Sequence, residues 1–347
     1  MSRDVCALDF SNSSIQVLVQ DHSGKAIRGK TADLPAEAIE GDRLDQPATL
    51  QIYLTRLLKD LKVNSPEIRL TVADSACVSR FLEYPKMGPK DLARSLEVEA
   101  QRELPMSLRQ AYMGWQSIGK ADDGQQVLLV AAWRDVVEQS LTAVKGVGRV
   151  TAVEPRSMAL ARAVGMPDAV LVDWTGDDVQ VVHVQARLVK YTGSVALGSS
   201  TIPSLPRLHH AVASLLPKSA PGQAQAGRVV LLGKLHGRED LAELLRNDAL
   251  TGRFEIITDW TPAEPYSEFA GTSQVANIGR SLTNHSRATT AESFPAINLM
   301  PYREKVVSAR RPAVRPFYWV ILTVSTLMLI AVMAYLLLPK LTAGAGP

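Results

Sequence analysis

Leu8-Asp9-Phe10-Ser11-Asn12-Ser13-Ser14-Ile15-Gln16-Val17-Leu18-Val19 can be laid over Val172-Asp173-Trp174-Thr175-Gly176-Asp177-Asp178-Val179-Gln180-Val181-Val182-His183. Both stretches run through an apolar residue, an Asp, an aromatic, four small or polar residues, a β-branched residue, a Gln and further apolar residues. Short β-type runs on either side of a polar segment spell a hairpin. Val5 to Asp9 with Ile15 to Val19 therefore form one hairpin, and the stretch from Leu171 forms a second. Each first strand ends on an Asp, and the return of the pattern in the second half points to a duplicated domain.

Working outward, helix and strand signals alternate. Ala48 to Leu61 carries Leu50, Tyr53, Leu54, Leu57, Leu58 and Leu61 at helical spacing. Ile68 to Val72 reads as strand, and Pro89 opens a helix that Pro105 stops. Val127–Ala132 and Val150–Val153 are predicted strands, with helices over Val136–Val144 and Met158–Val164. After the second hairpin come a strand at Arg187–Val195, a helix at Leu205–Leu216, a strand at Val229–Leu232 and helices at Leu241–Leu245 and Val275–Leu282. The alternation predicts a layered α/β body over 1–282, in two lobes of approximately 1–165 and 166–282. Residues 283–296 are polar and aperiodic, as a linker is.

The net charge of +3 over 347 residues is unevenly placed. From Arg303 onward Arg303, Lys305, Arg310, Arg311, Arg315 and Lys340 face Glu304 alone, so the body before them is slightly acidic. A nucleic-acid binder spreads basic residues over a folded face, and this body is not expected to be one. Phe317 to Leu338 is an uncharged apolar run of the length a helix needs to cross a bilayer. The basic residues just before it predict a cytoplasmic body at the inner membrane and a short extracytoplasmic tail over 339–347. Met1 to Leu8 has no apolar run of signal length.

Reactive chemistry is sparse. Cys6 and Cys77 suggest neither a disulfide framework nor a metal site. His209 and His210 are adjacent on a predicted helix and point to different faces, so they are not expected to chelate together. Lys218 lies in a loop without the glycine pattern of a phosphate cradle.

The paired hairpins resemble the two phosphate loops of the actin and sugar-kinase superfamily, and the body resembles the PilM family of actin-like type IV pilus assembly proteins. Arg94 to Pro105 followed by Tyr112 and Trp115, together with Val153-Glu154-Pro155, carry that resemblance. It implies a duplicated actin-like (ribonuclease H-like) ATPase fold, with Asp9, Ser11, Asn12, Ser13, Ser14, Asp173, Thr175, Gly176 and Gly233 as nucleotide-side positions. Ile297-Asn298-Leu299-Met300-Pro301-Tyr302-Arg303-Glu304 resembles the short leader of PilN, within 297–305. In that family the leader docks into a groove on PilM. The docking residues would be Ile297, Asn298, Leu299, Pro301, Tyr302, Arg303 and Glu304, folding back on this body or on a neighbouring subunit. Body, leader and span in one chain resemble the GspL layout of type II secretion.

The resemblance implies as partners PilN/PilO or GspM-like platform proteins, a cytoplasmic hexameric assembly ATPase, the membrane and further copies of the chain. Departures bear on chemistry. The family usually has Gly at the position of Ser11 and Lys at that of Gln16, Trp174 intrudes on the second loop, and the adenosine-side glycines shrink to Gly233 before Lys234 and Leu235. ATP and magnesium are therefore not expected as cofactors, and Asp9 and Asp173 are expected to bond local amides at their strand-to-turn junctions. The expectation is a scaffold and not an enzyme; the alternative is a nucleotide-binding switch with weak ATPase activity.

Overall fold

Residue pairing across the two hairpins makes the duplication concrete. Asp9 stands opposite Gln16 and Asp173 opposite Gln180; Leu8 faces Val17 as Val172 faces Val181; Phe10 faces Ile15 as Trp174 faces Val179. The structure is a computed structural model and describes residues 4–11, 14–21, 27–35, 44, 46–121, 124–175, 178–197, 204–216, 227–248, 254–269, 271–272, 274–281 and 294–300. Among these no helix is long and apolar enough to cross a membrane. The apolar run 317–338 and the tail 339–347 lie outside them, as do Pro301, Tyr302, Arg303 and Glu304.

The first lobe opens with strands β1 (Val5–Ser11), β2 (Ser14–Gln20) and β3 (Ile27–Asp33), then helix α1 (Pro47–Asp60) and strand β4 (Glu67–Val72). An insertion follows: β5 (Cys77–Pro85), α2 (Pro89–Glu103), β6 (Ala111–Ala121) and β7 (Gly124–Trp133). Helix α3 (Arg134–Ala143), strand β8 (Arg149–Pro155) and helix α4 (Arg156–Val164) complete it. The second lobe repeats the plan with β9 (Ala169–Thr175), β10 (Asp178–Gln185), β11 (Leu188–Ala196), α5 (Leu205–Leu215), β12 (Arg228–Gly233), α6 (Glu239–Asn247) and β13 (Glu255–Ile257). The sheet orders are β3-β2-β1-β4-β8 and β11-β10-β9-β12-β13, so each strand of one lobe has a counterpart at the same place in the other. In both, an antiparallel meander is extended by two parallel strands reached through helical crossovers, as parallel pairing requires.

The insertion forms its own sheet, β5-β7-β6. Its central strand is buried on both faces. Val127, Leu129 and Ala131 meet Leu92, Leu96 and Ala100 of α2 in one apolar cluster. Leu128, Val130 and Ala132 turn the other way, into the main core. Period-two geometry makes this division automatic.

From pattern alone the sequence reading leaves out β3, β5, β6 and β13. β3 is an edge strand of half-buried and exposed residues, and β5 alternates without a continuous apolar run, so neither carries the signal of a buried strand. β13 is only 3 residues long. The last helix, α7 (Val275–Ser281), falls in the predicted second lobe but returns to the first, where Ile278 packs with Ala7 and Leu18. There the two helices nearly touch: a Cβ at Gly279 would lie 1.7 Å from the Ala159 carbonyl oxygen of α4. Gly279→Ala must part these backbones and is expected to cost roughly 1–3 kcal/mol, read as a lower urea midpoint with an unchanged slope.

Candidate functional site

β8 runs to the end of the first sheet and Pro155, in extended conformation, turns the chain directly into α4. This sets Arg156 at the first position of α4, between the two hairpins. Its guanidinium forks across the lobes. Nε donates to Asp9 Oδ2 at 2.9 Å, Nη2 to Asp173 Oδ2 at 2.7 Å and Nη1 to Gln180 Oε1 at 2.8 Å. The side chains of Asp9 and Asp173 are 2% and 1% exposed, and that of Arg156 12%. Desolvation works against the charge on Arg156, but the carboxylates of Asp173 and Asp9 more than offset it and hold its pKa above the ordinary arginine value.

Further groups complete the cluster. Thr71 of β4 donates its hydroxyl to Asp9. Asp74, in the turn after β4, accepts from the Ser157 amide at 2.9 Å, from the Ser157 hydroxyl and from the Gln180 side chain. Burial pushes the Asp74 carboxyl above its ordinary value of 3.8, against the hydrogen bonds of Ser157 and Gln180 and the charge of Arg156. Beyond the local role expected of them, Asp9 and Asp173 take part in a bridge between lobes. Neither Arg156 nor Asp74 stands out in the hairpin repeat, because both lie outside it.

The other nucleotide-side positions divide. Ser14 is buried in β2, while Ser11 and Thr175 are the last residues of their strands. Asn12, Ser13 and Gly176 lie outside the described residues. Gly233 has φ +62°, and a Cβ there would meet the Trp174 carbonyl at 2.5 Å and Asp173 Oδ1 at 2.9 Å. Its glycine serves close packing of β12 on β9. Lys234 donates its amide to the Trp174 carbonyl and places its ammonium 5.2 Å from the Trp174 ring. Asp9 and Asp173, which the resemblance puts on the nucleotide side, hold Arg156 instead.

A second arrangement lies on the far edge of the same β8. Residues 294–300 run beside it, and the Leu299 amide donates to the Val153 carbonyl at 2.8 Å. The Asn298 carboxamide imitates a strand partner: Oδ1 accepts from the amides of Val153 at 3.2 Å and Met300 at 3.0 Å, and Nδ2 donates to the Thr151 carbonyl at 3.1 Å. Ile297, Leu299 and Met300 are 1%, 0% and 6% exposed and join the main core. The Ala296 amide donates to the Gln116 side chain of β6 at 2.9 Å. Gly114 of β6 leaves the necessary room, since a Cβ there would lie 2.8 Å from both the Asn298 carbonyl oxygen and Ile297 Cγ2. The seat is therefore a groove between β8 and the inserted sheet.

Arg156→Met leaves two carboxylates buried without their cation and is expected to cost about 3–5 kcal/mol in denaturant unfolding at neutral pH. Asp74 supplies a pH test. Its folded pKa is raised, so the folded state binds the proton more tightly and this contribution is lost as pH rises from 3.8 toward the raised value. The stability of the wild type minus that of Asp74→Asn should fall across that window and level off above it.

The sequence matches the family described as type IV pilus assembly protein PilM over residues 7–192. No curated protein matches the chain in sequence. A solved structure described as a PilM-PilN type IV pilus biogenesis complex superposes with a TM-score of 0.58 at 16% identity, over 81% of this chain and 98% of that one. That likeness shows a shared fold. The cytoplasmic domain of EpsL, an inner membrane component of the type II secretion system of Vibrio cholerae, gives 0.49 at 13% identity, over 86% of this chain and 98% of that one. A Bacteroides thetaiotaomicron protein with an actin-like ATPase fold gives 0.44 at 11% identity, over 81% and 97%. Matched by one family across more than half its length, the chain belongs to the type IV pilus assembly protein PilM family.

Proposed function

We propose that this chain is an inner-membrane scaffold of a type IV pilus or type II secretion assembly platform, which holds a cytoplasmic hexameric ATPase at the membrane and turns over no nucleotide itself. The observation that carries the reading is the seat of Asn298 on β8, where a leader-like segment of the chain completes a sheet edge of its own body. The solved structure with the TM-score of 0.58 is described as a complex of PilM with PilN. In this chain residues 294–300 lie along β8 of the same polypeptide, ahead in sequence of the basic residues and the apolar run 317–338. That order supports a body tethered on the cytoplasmic side, with PilN/PilO or GspM-like platform proteins and further copies of the chain as membrane neighbours. The fork of Arg156 on Asp9 and Asp173 supports the non-enzymatic part of the proposal.

Asn298→Ala removes the carboxamide's hydrogen bonds to Val153, Thr151 and Met300. In the full chain in detergent it should raise the rate of protease cleavage within 294–300 by at least about tenfold, while the body stays folded. Unchanged protection would remove the leader from the proposal. The assembly ATPase should co-purify with the full chain at micromolar concentration, and its clean absence would count against the scaffold. Calorimetry with ATP and magnesium at millimolar concentration should give no binding heat; a saturable isotherm would favour the nucleotide-switch alternative.

A further inference from the structure

The groove and the bridge between lobes are built on one continuous piece of chain. Thr151 and Val153 hold Asn298 and Leu299. Three residues later Arg156 grips Asp9 and Asp173. Further along the 9-residue helix α4, Arg162 meets the leader again. Its Nη2 donates to the Pro295 carbonyl at 2.7 Å and its Nη1 to the Gly279 carbonyl of α7 at 3.0 Å. The same guanidinium holds both carboxylate oxygens of Glu154, at 2.9 and 3.0 Å.

Three features make this piece respond as a unit. Glu154 is 0% exposed, so Arg162 cannot follow a departing leader without abandoning a buried charge. α7 fixes α4 from behind through the close approach at Gly279, which prevents a gradual slide of one helix on the other. Pro155 joins β8 to α4 with no intervening loop to absorb a shift of β8.

We propose that seating of residues 294–300 on β8 and closure of the two lobes by Arg156 form one cooperative unit, transmitted through Thr151–Arg162. Drawing the leader away from the body frees the edge of β8 and removes the Pro295 partner of Arg162. The N-terminus of α4, joined to β8 without a loop, then shifts with that strand, and the fork between Asp9 and Asp173 opens. Withdrawal of residues 294–300 from β8 is in this way converted into a change of lobe separation without a nucleotide.

Coupling of this kind is reciprocal, which gives two independent readouts on the full chain. For the first, Cys77→Ser provides a background in which only the buried Cys6 remains, its thiol pushed up to about 12 by burial. Spin labels then go on the exposed positions Ile52 of α1 and Glu243 of α6, one in each lobe. A side chain at Gly114 meets Asn298 and Ile297 first, so Gly114→Val pushes the leader off β6. It should lengthen or broaden the distance distribution between the labels, and Asn298→Ala should do the same.

For the second, Arg156→Lys keeps the charge but not the fork, and should raise protease cleavage within 294–300 by at least about fivefold. A leader shown by cleavage to be released in Gly114→Val or Asn298→Ala, with the distance distribution unchanged, overturns the proposal. So does a lobe separation changed by Arg156→Lys with leader protection intact. If Gly114→Val does not fold, Asn298→Ala decides the first test alone.

Discussion

A buried cation held by carboxylates from two lobes is the constraint on which the rest of this structure depends. Asp9 and Asp173 come from hairpins that the duplication made equivalent, so they approach the same central place from opposite sides. Two carboxylates nearly withdrawn from water repel each other and are costly to desolvate unless a cation lies between them. Arg156 supplies it, and its planar fork suits the task because separate nitrogens reach separate acceptors at 2.7 to 2.9 Å. A lysine would offer one ammonium for the same span. The arginine also stands at the first position of a helix, where the macrodipole disfavours a positive charge. Such a placement is sustained by what the side chain does across the cleft and not by the helix that carries it.

This also explains what was legible in the amino-acid order. The hairpins, most helices and the duplication are written locally, as alternation, helical spacing and a repeat that places Asp opposite Gln twice. The layered fold follows from those signals. Arg156 is not legible in the same way, because its partners lie 147 and 17 residues away and only the closed fold brings them together. The residue types gave a hint, a basic residue directly after a proline at a helix start, but a hint of that kind does not name a partner. Edge strand β3 was missed for a related reason: with half its side chains in water it carries no apolar alternation.

Residues 294–300, which include the first part of the leader-like motif, have a definite place against β8. β8 is an outer strand, and an uncovered strand edge is a site of unwanted pairing. Residues 294–300 cover it with few backbone bonds, because the Asn298 carboxamide stands in for a peptide group toward both Val153 and Thr151. Burial of Ile297, Leu299 and Met300 contributes roughly 5–9 kcal/mol, an amount that ordering the segment's backbone largely cancels. The hydrogen bonds around Asn298 and the carbonyl contact to Arg162 therefore decide whether the segment stays seated. Such a balance suits a contact that has to be made and released while the body remains folded.

The duplicated halves have not kept equal shares of this arrangement. Gln180, opposite Asp173, is engaged by Arg156 and in turn donates to Asp74. Its counterpart Gln16, opposite Asp9, is fully buried, and its amide atoms have no hydrogen-bond partner among the described residues. A buried amide left so costs about 1–3 kcal/mol, which a symmetric bridge would have avoided. The imbalance follows from where the cation is attached. Arg156 enters from the junction between the lobes with a fork of fixed width, and after one bond to each Asp its remaining nitrogen reaches only one of the two glutamines. Because Arg156 is carried at the end of the first lobe, its bonds to Asp173 and Gln180 are the ones that cross to the second lobe. Its bond to Asp9 fixes where the guanidinium stands, so a shift of β8 acts on the crossing through Arg156 itself.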